Sequence, residues 1–421
     1  MFGVLRDIGL VSIGKYGQYL VTVATLPLIA RVLGAEGLGT LAVGMAAYFI
    51  GSLLVDLGIT SYISARVQGP RPNVMHVNEL RGTYLVIRGA ILGVLAVALA
   101  GSLLAGAPEH LHMIFLGLFV GGFWSMSEDW VLIGQGRFGA SVVYQGVARV
   151  GYLLLLILVL PHFPNASMAM LCLLASAVVS VGLTWFDTWR RFGPPGRPRK
   201  VRALLRIGGP VLTSRLLVTS YGQGAAAAYG VVLNAASLGL FSAADRLVRA
   251  VQSLLDPIGF ALLPRMARRT HRGFWRDSSW TLAACVGLAV LVAAMAWAAA
   301  PLLIHLIFGD EFAEAVPVLR AEVLILPATT ITSFITTAVL PVRQDSAGVL
   351  VGGFIGTAVA ALALGVAAWS HSLWALVWGI VLAEFAVACW YIVRMRWLFV
   401  RDLANATQVT TLLPVVRKER R

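Results

Sequence analysis

Polar and charged side chains interrupt three strongly apolar stretches of this sequence, and their spacing places them on single helix faces. In the first stretch, Lys15, Gln18 and Thr22 recur at i, i+3 and i+7, the period of one face of an α-helix. The other two stripes are Arg215, Thr219 and Gln223, and Asp245, Arg249, Gln252 and Asp256, with Arg246 beside the last stripe. Because lipid-facing positions cannot hold such residues, the stripes predict a water-filled cavity.

The basic members of these stripes have the chemistry of a phosphate-binding site. They are Lys15, Arg215, Arg246 and Arg249. Arginine presents a fork of donors that matches phosphate oxygens, and lysine acts as a point charge. We therefore expect the four cations to line a cavity that receives an anionic head group. The expected polar lining of that cavity is Gln18, Thr22, Thr219, Gln223 and Gln252.

A structural alternative exists for the two arginines of the third stripe. Arg246 or Arg249 can pair with Asp245 or Asp256, which lie about one helical turn away. The basic residues of the first two stripes have no acid among their own helical neighbours, so this alternative does not apply to them.

Acidic residues within apolar stretches are candidates for ion coupling or for pairing. Glu384 has no base within a turn, which makes it either a proton or cation site or a buried protonated side chain. Arg320 and Glu322 fall near the end of their stretch, where we expect them to snorkel to the interface. The residues expected to form gates, helix-end bonds or pairs within a bundle are Asp56, Asp256, Glu128 and Asp129, with Arg149 as partner of the last two.

The elements that must position these residues are membrane-spanning helices. The chain is 59% hydrophobic and only 12% charged, with a mean hydropathy of +0.84, whereas soluble domains carry about 25% charged residues. Stretches long enough to cross a bilayer predict twelve helices in an all-α polytopic membrane protein. They lie near 8–30, 38–63, 83–105, 112–134, 139–160, 166–187, 206–229, 238–262, 280–307, 315–340, 347–368 and 372–394.

The positive charge of the chain supports this topology. The net charge of +14 comes from short Lys and Arg blocks between the apolar stretches, and most blocks fall on every second connection. Because cytoplasmic loops collect Lys and Arg, this alternation predicts that both termini are cytoplasmic. A nucleic-acid partner is disfavoured, since it would require the charge on one folded face.

A proline-rich basic segment divides the predicted helices into two sets of six. We expect a bundle over 1–190, a cytoplasmic linker over 191–205, a second bundle over 206–396 and a basic tail over 397–421. A shift of 200 residues aligns Leu38-Gly39 with Leu238-Gly239. Two repeats with an even number of helices are related by a pseudo-two-fold axis along the membrane normal.

The sequence contains no motif for a cofactor. The phosphate-cradling pattern GxxxxGK[ST] is absent, so ATP binding is not expected, and no Cys or His cluster has metal spacing. No catalytic residues are assigned, because the connections between helices are too short for a catalytic domain. The predicted class is a transporter in a bacterial inner membrane and not an enzyme.

Several segments together resemble the polysaccharide-biosynthesis flippases, a branch of the multidrug/oligosaccharidyl-lipid/polysaccharide exporter superfamily. The segments are Arg31 to Gly39, Asp56-Leu-Gly58, Glu128 to Phe138, Leu238 to Arg246, Leu263-Pro264 and Ile307 to Arg320. The resemblance implies two six-helix bundles around a central cavity, alternating access, and flipping of a polyprenyl-pyrophosphate-linked oligosaccharide. Its expected partners are that lipid-linked sugar, membrane lipids, and glycosyltransferases or a polymerase of the same pathway.

Three other functions are compatible with a polytopic membrane protein. A drug/cation antiporter of the same superfamily would need acids and aromatic residues facing a cationic substrate, which the basic stripes disfavour. A membrane glycosyltransferase or polymerase would need a long catalytic loop. A scaffold of polysaccharide assembly that transports nothing can be separated only by an assay.

Overall fold

A computed structural model describes the backbone of residues 2–67, 73–222, 224–255, 271–340, 343 and 345–412. Within these ranges the side chains of 2–23, 61, 220–221, 254–255, 271–273, 346 and 403–412 are not described. Every regular element across the described ranges is helical, which confirms the all-α fold class. The structure is therefore that of a polytopic membrane protein.

Fifteen α-helices are numbered here in chain order over the described ranges. They are α1 Phe2–Asp56, α2 Thr60–Ala65, α3 Val74–Leu104, α4 Glu109–Trp124, α5 Asp129–Gly134, α6 Phe138–Val159, α7 Ala166–Phe192, α8 Val201–Tyr221, α9 Ala225–Tyr229, α10 Ala235–Leu255, α11 His271–Ile307, α12 Ala315–Glu322, α13 Ile325–Phe334, α14 Ser346–Ser370 and α15 Leu373–Leu412. A 3₁₀ turn at Asp310–Phe312 and a π-helical turn at Ile335–Val339 complete the regular structure.

Nine helical segments of the described chain are long and apolar enough to cross a membrane. They correspond to nine of the twelve predicted spans. The other three are the predicted helices near 8–30, 206–229 and 238–262, which are the ones that carry the polar stripes. The count of twelve stays a prediction, and the composition of α8 and α10 is that of helices bordering water more than lipid.

The chain forms two compact units. The first comprises Met1–Ala244, Pro301–Val316 and Leu364–Leu376, and the second comprises Asp245–Ala300, Pro317–Ala363 and Val377–Arg421. The division of the sequence at the linker 191–205 stays a prediction. That linker is docked on the start of α3, because Gly196 N donates to Asn78 O at 2.8 Å and Arg199 N donates to Thr83 Oγ1 at 2.9 Å.

Gly34 divides α1 into the two membrane helices that the sequence predicts. Its φ of 65° lies in the left-handed region, which glycine adopts without a steric penalty. The backbone N–H of Ala35 is then free to donate to Glu311 Oε1 at 3.4 Å. The position 200 residues later is Asn234, whose Oδ1 accepts from Ser237 N at 2.8 Å at the start of α10.

Two glycines 200 residues apart form a reciprocal helix crossing within the first unit. A Cβ atom on Gly39 would lie 1.8 Å from Ala235 O, and one on Gly239 would lie 1.8 Å from Ala35 O. Each glycine therefore contacts the residue that pairs with the other glycine's partner under the shift of 200. Such reciprocity is the signature of a two-fold relation between contacting surfaces, and it agrees with the predicted repeat.

A buried ion pair holds three helices of the first unit together. Arg81 on α3 donates from Nε and Nη2 to the two carboxylate oxygens of Glu128, at 2.8 and 2.7 Å. The Thr188 hydroxyl on α7 also donates to Glu128, and Arg81 Nη1 donates to Gly193 O at 2.7 Å. Neither charged side chain is more than 1% exposed. The expected pairing of Glu128 with Arg149 is wrong, because Arg81 supplies a bidentate partner.

The residues expected to pair beside Glu128 are also placed differently. Asp129 accepts from Gln145 Nε2 at 2.8 Å rather than from Arg149. The Arg149 guanidinium instead lies over the Trp124 ring, 5.5 Å from its centroid. An aromatic face can stabilise a cation in the absence of a carboxylate.

We predict that adding a methyl group at the glycine crossing destabilises the protein. Gly39→Ala and Gly239→Ala should each cost about 1–3 kcal/mol, because the new Cβ would overlap a backbone carbonyl that cannot rotate away. Gly89→Ala is the matched control, since a Cβ there meets nothing within 4 Å. Thermal unfolding of the purified variants measures the effect, and equal midpoints for Gly39→Ala and Gly89→Ala would contradict the crossing.

We also predict that Glu128→Gln lowers the thermal midpoint strongly. Removing one charge of a buried pair typically costs about 3–5 kcal/mol, since the Arg81 guanidinium would stay buried without its counter-ion. Glu79→Gln is the control, because its pair with Arg199 at 2.8 Å is exposed and such pairs contribute roughly 0–1 kcal/mol. Similar losses for the two variants would show that the buried pair has no special role.

Candidate functional site

The cationic stripe of the first unit is only partly described. Arg215 lies in the middle of α8 with an exposed side chain, and its Cδ packs beside Gly58, where a Cβ would come within 2.7 Å. Across the described chain its guanidinium has no ion pair. Thr219, one turn further along α8, is half-buried. Arg215 is thus an unneutralised charge on a predicted membrane helix, as the sequence indicates.

Five predicted site residues fall where the structure gives no side chain. Lys15, Gln18 and Thr22 lie on the helical backbone of α1, but their side chains are outside the described residues. Gln223 and Asp256 lie outside the described chain altogether. Their roles stay predictions.

The arginines of the third stripe differ in their surroundings. Arg249 Nε donates to Asp245 Oδ2 at 2.8 Å, so the pair one turn apart that the sequence allows is present. Arg246 and Gln252 are half-buried on the same helix. Arg249 is therefore already neutralised by Asp245 on its own helix.

An acidic cluster surrounds this pair within the second unit. The charge of Arg249 acts on Glu322 and Glu384 as well as on Asp245, and Asp245 acts on both glutamates. We define the acidic cluster as Asp245, Glu322 and Glu384 with Arg249. Three carboxyl groups share one guanidinium, so the ionised cluster would carry an excess of negative charge.

Glu322 is the member of the acidic cluster that sequence reasoning missed. The expectation that it snorkels to the interface is wrong, because its side chain is 1% exposed and neither carboxyl oxygen makes a hydrogen bond in the described part of the chain. Arg320, two residues earlier, does lie at an exposed position over the Trp297 ring, 4.6 Å from its centroid. A signal was present in the sequence, since apolar residues flank Glu322 from Ala321 to Leu326.

A polar cavity of about 200 Å³ lies within the first unit near Asp56. Asp56 Oδ1 accepts from the hydroxyls of Thr60 and Tyr84, which is the helix-end bonding that the sequence allows. Arg88 also lines this cavity, and its Cζ lies 4.1 Å from the centroid of the Tyr84 ring. Nη1 of Arg88 donates to two backbone carbonyls, while Nε and Nη2 have no partner within the described ranges. The unpartnered atoms face a space large enough for several water molecules.

Charges at the membrane surface are paired in the ordinary way. Arg394 donates to both carboxylate oxygens of Asp345, at 2.6 and 2.9 Å. These hydrogen bonds hold the pKa of Asp345, which lies between helices, below its usual value. No group of three His, Cys, Asp or Glu side chains that could hold a metal ion occurs among the residues searched, those with described positions.

Comparisons with known proteins place this geometry in a family. The profile of the family described as "Polysaccharide biosynthesis protein" matches residues 4–269. The succinoglycan biosynthesis transport protein ExoT of Rhizobium meliloti (strain 1021) is 25% identical over 329 residues, which cover 75% of this chain. The match covers 65% of ExoT, so the chain spans slightly less than two thirds of that relative's length.

Two solved structures share the fold at the same level of similarity. One is an inward-facing multidrug resistance MATE family transporter of the MOP superfamily, with a TM-score of 0.74, 16% identity, and coverage of 92% of this chain and 96% of that one. The other is the lipid II flippase MurJ in an inward closed conformation, with a TM-score of 0.74, 10% identity, and coverage of 98% and 94%. Because the family profile spans more than half of the sequence, the chain belongs to the polysaccharide biosynthesis protein family.

Proposed function

We propose that this protein flips a polyprenyl-(pyro)phosphate-linked oligosaccharide from the cytoplasmic to the outer leaflet of a bacterial inner membrane. The family membership, the transport function printed in the name of ExoT and the fold shared with a lipid II flippase support this proposal. Both termini are cytoplasmic in the proposed topology. Glycosyltransferases and a polymerase would act before and after the flipping step.

The single observation that carries the proposal is the environment of Arg215. Its side chain is exposed in mid-helix and has no ion pair in the described part of the chain. A solvent-reaching guanidinium at membrane depth is costly to maintain, and an anionic ligand recovers that cost through charge-assisted hydrogen bonds. A cationic substrate would be repelled by the same group.

The phosphate group of the substrate is bound by the basic residues of the polar stripes. We assign this role to Lys15, Arg215 and Arg246, with Thr219 and Gln252 as neighbouring hydrogen-bonding groups. Arg249 is the weakest candidate of the four because Asp245 already neutralises it. The sugar portion needs hydroxyl and amide partners, which the same stripes contain.

A drug antiporter is the second candidate, and the MATE transporter fold favours it. Fold similarity does not separate the two functions, since both solved relatives have a TM-score of 0.74. The charge of the exposed stripe residue decides between them. An antiporter for cations would place its acids at exposed positions, whereas Glu322 is buried and Arg215 is exposed.

The acidic cluster is the proposed coupling site for an ion gradient. The isolated position of Glu384 in its own helix suggests that role, and Glu322 joins it through the shared interaction with Asp245 and Arg249. One proton or monovalent cation would balance part of the excess negative charge. Loading and unloading of that ion would change how Arg249 is shared among the three carboxyl groups.

We expect Arg215→Ala to reduce flipping about tenfold or more. The variant cannot form the charge-assisted hydrogen bonds to phosphate, which are worth roughly 1.5–3 kcal/mol. Arg206→Ala is the matched control, because Arg206 is an exposed arginine nearer the start of the same helix. The assay follows a labelled lipid-linked sugar in reconstituted vesicles at equal protein content. Equal rates for Arg215→Ala and Arg206→Ala would argue against phosphate binding at Arg215.

We expect Glu322→Gln and Glu384→Gln to lose the dependence of flipping on an imposed ion gradient. The amide keeps the shape of the side chain but cannot exchange a proton, so the cycle would run without coupling. Glu109→Gln is the control, since Glu109 is exposed at the start of α4. The same vesicles are tested with proton and sodium gradients. A full gradient response in both cluster variants would make the acidic cluster structural.

A further inference from the structure

A long apolar groove runs along the surface of the second unit. Its volume is about 830 Å³, and its walls come from α11, α13 and α15. The lining residues are Trp275, Arg276, Ser279, Leu282, Ala283, Val286, Ile331, Ile392, Met395, Arg396 and Phe399. None of the proposed substrate-binding or coupling residues lines this groove.

The groove follows one face of each of its two main helices. On α11 the lining extends from Trp275 to Val286, which corresponds to about 16 Å along the helix axis. That length is roughly half the thickness of the hydrocarbon core of a bilayer. Ile392 and Phe399 on α15 are 45% and 36% exposed, so the groove is open to the outside of the protein. It has the depth of one membrane leaflet.

Two arginines mark one end of the groove. Arg276 is close to the start of α11, and its side chain is 76% exposed. Its nearest ion-pair distance, 3.8 Å to Asp277 Oδ1, is too long for a hydrogen bond. Arg396 on α15 is exposed and has no ion pair within the described residues. Both guanidinium groups therefore retain free donors at the same end of an apolar channel.

Neighbouring basic residues at this end are neutralised. Arg343 pairs with Asp402 at 2.9 Å, and Asp402 also accepts from Trp275 Nε1 at 3.1 Å. The Arg343 guanidinium lies over the Trp275 ring, 5.1 Å from its centroid. This arrangement fixes the indole that forms the end wall of the groove. The free charge is thus concentrated on Arg276 and Arg396.

The chemistry of the groove selects an anionic amphiphile. An apolar channel of leaflet depth accepts an acyl chain, and unpaired arginines at the level of the lipid head groups bind phosphate. Zwitterionic lipids lack the net negative charge that two adjacent cations favour. Because the groove is open at the protein surface, bilayer phospholipid reaches it without entering any transport cavity.

We propose that this groove is a binding site for an anionic phospholipid, such as phosphatidylglycerol, with its phosphate on Arg276 and Arg396. One acyl chain lies along α11 between Ser279 and Val286. The site is separate from the proposed transport pathway and does not depend on it. Binding here would stabilise the packing of α11 against α15.

The test is native mass spectrometry of the full chain, titrated with phosphatidylglycerol or with phosphatidylcholine of the same acyl chains. Wild-type protein should retain phosphatidylglycerol more tightly, and the Arg276→Gln, Arg396→Gln double variant should bind it roughly tenfold to thirtyfold more weakly. This range follows from about 1 kcal/mol for each basic residue near the membrane surface. Arg401→Gln is the matched control, since Arg401 lies on α15 over Trp397 and does not line the groove.

A second variant separates the groove from the charges. Ala283→Phe should fill the channel and weaken phosphatidylglycerol binding while both arginines remain. Equal retention of phosphatidylcholine, or an equal loss in Arg401→Gln, would overturn the proposal. Displacement of phosphatidylglycerol by an equimolar polyprenyl phosphate would also overturn it, because the groove would then belong to the carrier lipid.

Discussion

The high free energy of a charge in hydrocarbon is the constraint on which this structure depends. Each charged side chain at membrane depth must find a counter-ion, an aromatic face, or water. Arg81 and Glu128 satisfy each other with a bidentate contact that is fully buried. Arg149 lies over an aromatic ring. Arg215 has neither solution in the described part of the chain, and this exception is the basis for placing ligand chemistry at its position.

The helices around these charges are arranged by close backbone contact. The crossing of Gly39 and Gly239 brings two helix starts together at a distance that only glycine permits. In a membrane, where lipid tails are as apolar as side chains, such small-residue contacts drive helix association. A rigid crossing of this kind leaves the polar stripes on nearby helices free to border water. The fold and the placement of charge are therefore parts of one solution.

The sequence predicted the class of fold and much of its order because hydropathy and helix length are local properties. The shift of 200 residues also anticipated the crossing, since Ala35 and Gly39 and their counterparts are the residues in contact. The partner of Glu128 was not predictable in this way. Arg81 lies 47 residues earlier on a helix whose basic residues resemble ordinary cytoplasmic charges.

Glu322 shows the same limit from another direction. Its position near a helix end suggested exposure, but burial depends on neighbouring helices that the sequence does not place. The acidic cluster is assembled from three helices, α10, α12 and α15, so no spacing rule within one helix could reveal it. Glu384 could be identified because it stands alone in its own helix, which is a local signal.

The central claim is that the transported head group is an anion. The most direct measurement reconstitutes the wild-type chain in vesicles and compares flipping of a labelled polyprenyl-diphosphate sugar with uptake of a cationic dye. The account predicts that the lipid-linked sugar is flipped well above protein-free vesicles and that the dye is not accumulated. Gradient-driven accumulation of the dye without flipping of the sugar would contradict it.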